Sequence, residues 1–358
     1  MRRKSRETRI GDILIGGSHT IPVQSMTKTD THNVWETISE IHRLEEAGCE
    51  IVRIAIPDME AAESISKIKK EVHIPIVCDI HFDPRLAIAS IEKGADKIRL
   101  NPSNITEEGW IKKIASLAKE RGIPIRVGAN IGSLKQKPKS AVDALVDGVL
   151  EEVRILEGVG FSNIVISIKS SDVLVTISAN EKIASLIEYP IHLGITEAGV
   201  KDDSLIKSSL GIGYLLREGI GDTIRFSITG DPVEEVKAGF TLLRSLGLRK
   251  RGLEIISCPT CGRAEIDILG LVRKTQRDFG NVVVPLKVAI MGCVVNGPGE
   301  ARDADIGITG GNGVGVIFKK GKVFKTVKEN SLYRVFKHEL QKLVSKEEKS
   351  LNISDSFR

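Results

Sequence analysis

Between about residue 20 and residue 248, short β-branched runs alternate eight times with longer stretches of helical periodicity, and no other feature limits the possible folds so tightly. The runs are IPVQSMT, EIVRIAIP, IPIVCDIHF, KIRLNP, IPIRVGAN, NIVISIKSS, PIHLGIT and TIRFSIT. Between them lie amphipathic segments such as NVWETISEIHRLEEAG and DPVEEVKAGFTLLRSLG, many closing on a glycine that can take the left-handed position at a helix end. Eight strand–helix units over roughly 230 residues predict an N-terminal (β/α)8 TIM barrel, an α/β fold whose active site lies at the C-terminal ends of the strands. A doubly wound open sheet is the alternative use of the same units.

The ends of those strands are unusually polar. Read at period two, one face carries Asp79 and His81, Arg99 and Asn101, Arg126 and Asn130, Ser167 and Lys169, His192 and Thr196, then Arg225, Ser227 and Thr229, with Arg53 joining from the second strand. A strand buried under helices should be nearly all apolar, so an arginine inside one is costly unless it meets an anion or a carboxylate. Asp79 and Glu197 are the evident rim carboxylates, too few for this many cations. The pattern predicts a concave cationic mouth for a small, heavily phosphorylated guest, because guanidinium forks match phosphate oxygens. Taken singly, His81 and His192 read as core histidines, and Glu197 as a helix N-terminal carboxylate.

After RKRG at residues 249–252 the pattern changes, which divides the chain into a barrel at 1–248 and a small α+β domain at 249–358. A chain of 358 residues exceeds what one core normally serves. Its basic start leads into no apolar stretch, and no run is long enough to span a bilayer, so the expected location is the cytoplasm with no membrane contact. Aromatic residues make up only 4% and no basic stripe is interleaved with them, which disfavours nucleic acid as the partner of the +5 net charge.

Five cysteines are too few and too odd in number for a disulfide framework. Cys258 and Cys261 form a C-x2-C knuckle, and strand-like LKVAIMGC delivers Cys293, with no further Cys or His nearby. Glu300 is the next oxygen ligand downstream, on a Gly- and Pro-rich loop that can fold back. This set suits a structural zinc with three thiolates and an oxygen, or a four-iron, four-sulfur cluster with one exchangeable ligand. Cys49 and Cys78, in the barrel half, read as inert buried thiols.

The motifs VQSMT, CDIHF, IRLNP, RVGANIGSL, HLGITEAG, SCPTCGR and MGCVVNGPGEARDADIG, in this order over nearly the whole chain, resemble those of the bacterial 4-hydroxy-3-methylbut-2-enyl diphosphate synthases of the methylerythritol phosphate isoprenoid pathway. The resemblance implies a [4Fe-4S] iron-sulfur domain whose ligands are Cys258, Cys261, Cys293 and Glu300. It implies a substrate, 2-C-methyl-D-erythritol 2,4-cyclodiphosphate, bound among Arg53, Arg99, Asn101, Arg126, Asn130, Lys169 and Ser227, with Asp79 and His81 nearby and Asn296 approaching from the cluster side. It further implies Glu197 as proton donor, flavodoxin or ferredoxin as electron donor, and a homodimer.

Overall fold

The computed structural model describes residues 2–80, 82–101, 104–105, 107–130, 140–293 and 301–355, the last five by backbone alone. Three expected site residues, His81, Asn296 and Glu300, lie outside these described residues. The chain divides into two compact units, Met1–Arg249 and Lys250–Arg358.

The first unit opens with an antiparallel hairpin of β1 (Thr8–Ile10) and β2 (Ile13–Ile15), turning at Gly11 with φ 58°. The eight expected strands follow as β3 (Gln24–Met26), β4 (Ile51–Ala55), β5 (Ile76–Asp79), β6 (Lys97–Arg99), β7 (Ile125–Asn130), β8 (Ile164–Lys169), β9 (His192–Leu193) and β10 (Thr223–Ile224). All are parallel, and β3 to β8 form one continuous sheet. Parallel bridges Ile166 to Ile191 and Val23 to Ile224 join β8 through the β9–β10 pair back to β3. The ring is therefore closed, and the open-sheet alternative is excluded.

Helices α1 (Val34–Glu46), α2 (Met59–Glu71), α3 (Pro84–Glu92), α4 (Glu108–Glu120), α5 (Ala141–Gly158), α6 (Val173–Leu186), α7 (Lys201–Arg217) and α8 (Pro232–Ser245) alternate with these strands. Six begin where the sequence supplies an oxygen for an orphan backbone N–H, at Asn33, Asp58, Asp83, Ser140, Asp172 and Asp231. Their apolar faces bury Ile54, Cys78, Ile98 and Ile166 from the outward side of the strands.

Inside the ring the order of polarity is reversed. Its base is closed by Ile51, Val77 and Val165 packed on Ile10 and Ile15 of the hairpin. On the neighbouring strands Gln24, Lys97 and Arg126, in register with Ile51, Val77 and Val165, are buried, as is His192 on β9. The barrel thus has an apolar plug at one end and a polar interior leading to its mouth.

In the second unit, β11 (Leu253–Ser257), β12 (Leu286–Ile290) and β13 (Ile306–Gly311) run parallel, and β14 (Val314–Lys319) and β15 (Lys322–Lys328) continue antiparallel. Helix α9 (Ile268–Phe279) covers β11 and β12, and α10 (Leu332–Asp355) covers β13 and β14. Alternation along β12 is visible in the core: Val288 and Ile290 pack with Phe336 and Leu340, while Ala289 packs with Met291 and Phe318. Among the described residues no helix is long and apolar enough to cross a membrane.

Candidate functional site

Strand register assembles the mouth of the barrel. Asp79 lies beside Arg99, Arg99 beside Arg126, Gly128 beside Ser167, and Asn130 beside Lys169. All of these but Asp79 line, with Arg53, Thr196, Arg225 and Ser227, a cavity of about 130 Å³ at the C-terminal strand ends. That volume is below the roughly 300–1,000 Å³ of drug-sized ligand sites, so it favours a compact, highly charged guest over a nucleotide. A wider space of about 850 Å³ beside α1 is lined by Asp30, His32, Trp35 and Lys67. There His32 already engages Asp30 and Asp58, at 2.6 and 3.0 Å, so the mouth carries the distinctive chemistry.

Two carboxylates order the cations. Asp79, buried, forms an ion pair with Arg53 and stands 3.6 Å from Arg99 Nη1. Glu235 on α8 accepts from Arg225 Nε and Nη2 at 3.1 and 3.2 Å, from Ser25 Oγ at 2.9 Å and from the Ile228 N–H at 3.2 Å. Lys28 Nζ lies 3.7 Å from the same carboxylate. The sequence reading named Glu197 beside Asp79 as a neutralising carboxylate, and the structure assigns that place to Glu235. In the sequence Glu235 looks like a first-turn helix acid, which is why period-two reading of the strands misses it.

Glu197 itself is exposed, immediately after the mouth residue Thr196, with φ 52°. A left-handed conformation is costly for a non-glycine residue and persists where the surroundings impose it, commonly at functional sites. Glycine serves the mouth in the opposite way, by what it lacks. A Cβ on Gly194 would stand 2.8 Å from Lys169 Nζ, and one on Gly128 would stand 2.2 Å from the Ser167 carbonyl oxygen.

Arg126 is buried, and its Nε and Nη1 have no hydrogen-bond partner among the described residues. Burial, reinforced by Arg53, pushes its guanidinium well below the usual range. Lys169 is pushed down by burial and then by Arg126, Arg225 and Arg53. Asn101 is buried, Asn130 and Ser227 are half-buried, and Ser227 also accepts from Ser204 Oγ through its carbonyl at 2.9 Å. Arg53, Arg99, Arg126, Arg225 and Lys169 therefore share one cavity, with Asp79 and Glu235 as the carboxylates paired to them.

Beneath this layer lie Lys97, which is not among the sequence-predicted site residues, and His192, which reads in the sequence as a core histidine. Lys97 precedes Arg99 by two residues on the same face, and its buried Nζ has no partner among the described residues. His192 Nδ1 lies 2.7 Å from Thr223 Oγ1, while its buried Nε2 has no partner, so it is only half satisfied as a core histidine. Burial first, then Lys169 and Arg126, hold His192 neutral, well below its ordinary range.

In the second unit the three expected thiols gather where β11 and β12 end. The register sets Ser257 beside Ile290, so Cys258 and Cys293 follow neighbouring strand ends. The Gly292 N–H donates to Cys258 Sγ at 3.2 Å. Cys261 is exposed, and N–H groups of Arg263, backbone first, push its thiol below the ordinary value. Cys261 and Cys293 both act electrostatically on the Arg263 guanidinium. Among the described residues no three His, Cys, Asp or Glu side chains are close enough to hold a single metal ion. A cubane cluster receives each thiolate on a different iron, whereas a structural zinc gathers all its ligands on one ion. Cys49 and Cys78 are buried in the barrel core, where burial pushes each thiol up to about 12.

Comparison with known proteins agrees with both halves of this description. The GcpE TIM-barrel domain matches residues 5–240, and the GcpE protein C-terminal domain matches residues 254–342. A 4-hydroxy-3-methylbut-2-en-1-yl diphosphate synthase (flavodoxin) of Caldanaerobacter subterraneus is 56% identical over 352 residues, covering 97% of this chain and 99% of the relative. The enzyme of the same name from Thermotoga petrophila is 52% identical over 344 residues, covering 96% and 99%. Among solved structures, dihydropteroate synthase from Stenotrophomonas maltophilia superposes with a TM-score of 0.52 at 14% identity, covering 67% of this chain and 98% of that one. At that identity the likeness shows the barrel fold alone.

Proposed function

The chain belongs to the GcpE family, and from that membership we propose that it is the oxidoreductase that opens 2-C-methyl-D-erythritol 2,4-cyclodiphosphate to 4-hydroxy-3-methylbut-2-enyl diphosphate, with flavodoxin as electron donor. Two electrons and one proton enter, a carbon–oxygen bond to the ring phosphate breaks, and a hydroxyl leaves as water. The observation that carries the reading is the excess of basic side chains over carboxylates inside a closed barrel.

The barrel residues bind and orient. Asp79 holds Arg53 and Arg99 in position, Glu235 holds Arg225, and the Arg126 nitrogens with no partner among the described residues remain for phosphate oxygens. Because these groups are aimed before the ligand arrives, little reorganisation is needed as negative charge develops on the opened diphosphate. Asn101, Asn130 and Ser227 add polar contacts at the same rim, and His81 and Asn296 complete the proposed binding set. Glu197, exposed beside Thr196, is the proposed donor of the proton that leaves with the hydroxyl.

Cys258, Cys261, Cys293 and Glu300 are the proposed ligands of a [4Fe-4S] cluster, which when bound supplies single electrons and a Lewis-acidic iron. Cytoplasmic location is supported by five free cysteines, and a homodimer, part of the same reading, is tested by light scattering.

The test is anaerobic. Purified protein should contain iron and sulfide, absorb in the visible, and convert the cyclic diphosphate to the linear one with reduced flavodoxin, followed by phosphorus NMR. A colourless protein carrying one zinc that leaves the cyclic diphosphate unchanged overturns the reading.

A further inference from the structure

Lys97 is a buried base with no assigned task. It sits on β6 two residues before Arg99, on the same inward face and one layer below the cavity, whose lining it does not join. Its side chain is 0% exposed, and its Nζ has no hydrogen-bond partner among the described residues. The charged groups that act on it are Arg126 on β7 and Arg53 on β4, both cations, and His192 on β9 feels it in turn. Asp79, in register with Arg99 on the neighbouring strand, is engaged by Arg53 and Arg99. An ammonium desolvated among cations is disfavoured, so burial and its neighbours push Lys97 well down.

The ligand proposed for the mouth reverses that balance. The cyclic diphosphate has one ionised oxygen on each phosphorus, and ring opening creates a terminal phosphate that adds a further negative charge. We propose that Lys97 is a charge reserve for the diphosphate: a neutral amine in the empty barrel that takes a proton from solvent when the anion docks above it and keeps it as the ring opens. The inference rests on the substrate reading above. Lys97 rather than His192 fills this role because an amine starts from a far higher ordinary pKa and regains its proton at neutral to mildly alkaline pH.

The experiment is calorimetric titration of the intact, iron-loaded protein with the cyclic diphosphate near pH 8, in buffers of differing ionisation enthalpy. The phosphate groups of this ligand are fully ionised there, so proton uptake reports the protein. The parent is expected to take up protons on binding, and its affinity to weaken as pH rises, by up to about ten-fold per pH unit for each proton taken up. Lys97→Met should lose part of that uptake and flatten the profile. Zero uptake by the parent overturns the proposal whether or not the variant folds, as does unchanged uptake in a folded Lys97→Met protein. Inorganic pyrophosphate separates the two readings. Lysine-dependent uptake with pyrophosphate but no binding of the cyclic diphosphate keeps the charge reserve and removes the substrate assignment. Binding of neither removes both.

Discussion

The barrel mouth and the thiol end of the second unit are both built at the C-terminal ends of parallel strands, yet they are stabilised in opposite ways. In the mouth, buried cations are fixed by hydrogen-bonded register and by two carboxylates that are themselves buried, Asp79 and Glu235. At the thiol end, Cys258 is only half-buried and Cys261 is exposed, held by a few backbone N–H groups. A charged site inside a closed barrel must be formed by the protein before its guest arrives, because unpaired charge there destabilises the fold. A soft-ligand site at open strand ends can be organised by the guest itself, as metal binding commonly is.

The largest expected effect follows from the second half of that contrast. Cys258→Ser, Cys261→Ser or Cys293→Ser should abolish the visible absorption and lower turnover more than about 100-fold, beyond the range typical of outer-shell changes. Pyrophosphate binding to the barrel should persist. Cys49→Ser and Cys78→Ser should keep their iron, since both lie in the barrel core. Iron loss from Cys78→Ser equal to that from Cys261→Ser would erase the distinction between the two regions.

Next comes the carboxylate that braces the mouth. Glu235→Gln leaves Arg225 and Lys28 without their counter-charge and should cost the barrel about 3 kcal/mol in unfolding free energy, with iron content unchanged. Denaturant titration of the parent and variant decides it. A loss under about 0.5 kcal/mol would mean that the mouth is not held by its buried pairs.

Arg126→Met sharpens the comparison by separating binding from stability. Losing a charge-assisted fork should weaken diphosphate affinity by about 1.5–3 kcal/mol, or roughly 10- to 150-fold. Because two nitrogens of this guanidinium lack partners among the described residues, the variant should be no less stable than the parent in the absence of ligand. Unchanged affinity for the cyclic diphosphate would refute its place in the cationic mouth.

The smallest effect concerns His192. Its folded pKa is depressed, so its contribution to stability is complete above the ordinary histidine value and declines as pH falls toward the folded value. The unfolded chain then binds the proton that the folded chain excludes. Below about pH 6.5 this should remove about 1.4 kcal/mol per pH unit. His192→Asn should flatten that part of the stability profile relative to the parent, as read by denaturant titration between pH 7 and 5. Parallel profiles would show that the barrel interior accommodates the charged imidazole.

Much of this protein was determined locally. Alternating runs and Asx or Ser caps specify eight strand–helix units without help from distant residues, and TRI-GD-ILI, passed over in the sequence reading, carried the turn chemistry of the first hairpin. Period two put Arg99, Arg126 and Lys169 on the mouth face, and the same rule applied one step further back would have found Lys97. In the second unit the glycines of the ADIGITGG stretch conceal a strand. Gly307 is accommodated as β13 because a Cβ there would meet the Phe318 ring at 2.3 Å.

Only the tertiary structure decided which charges meet. Closure of the ring rests on two bridges between residues far apart in sequence, Val23 to Ile224 and Ile166 to Ile191. Glu235 reaches Arg225 from a helix whose amphipathic pattern gives no sign that this acid points inward. Strand periodicity tells which face a side chain takes, but not its depth or the partner that arrives from another element. Since the energy of a buried charge depends on depth and partner, the candidate residues could be read from the chain, whereas their division into paired, partnerless and neutral groups required the closed barrel.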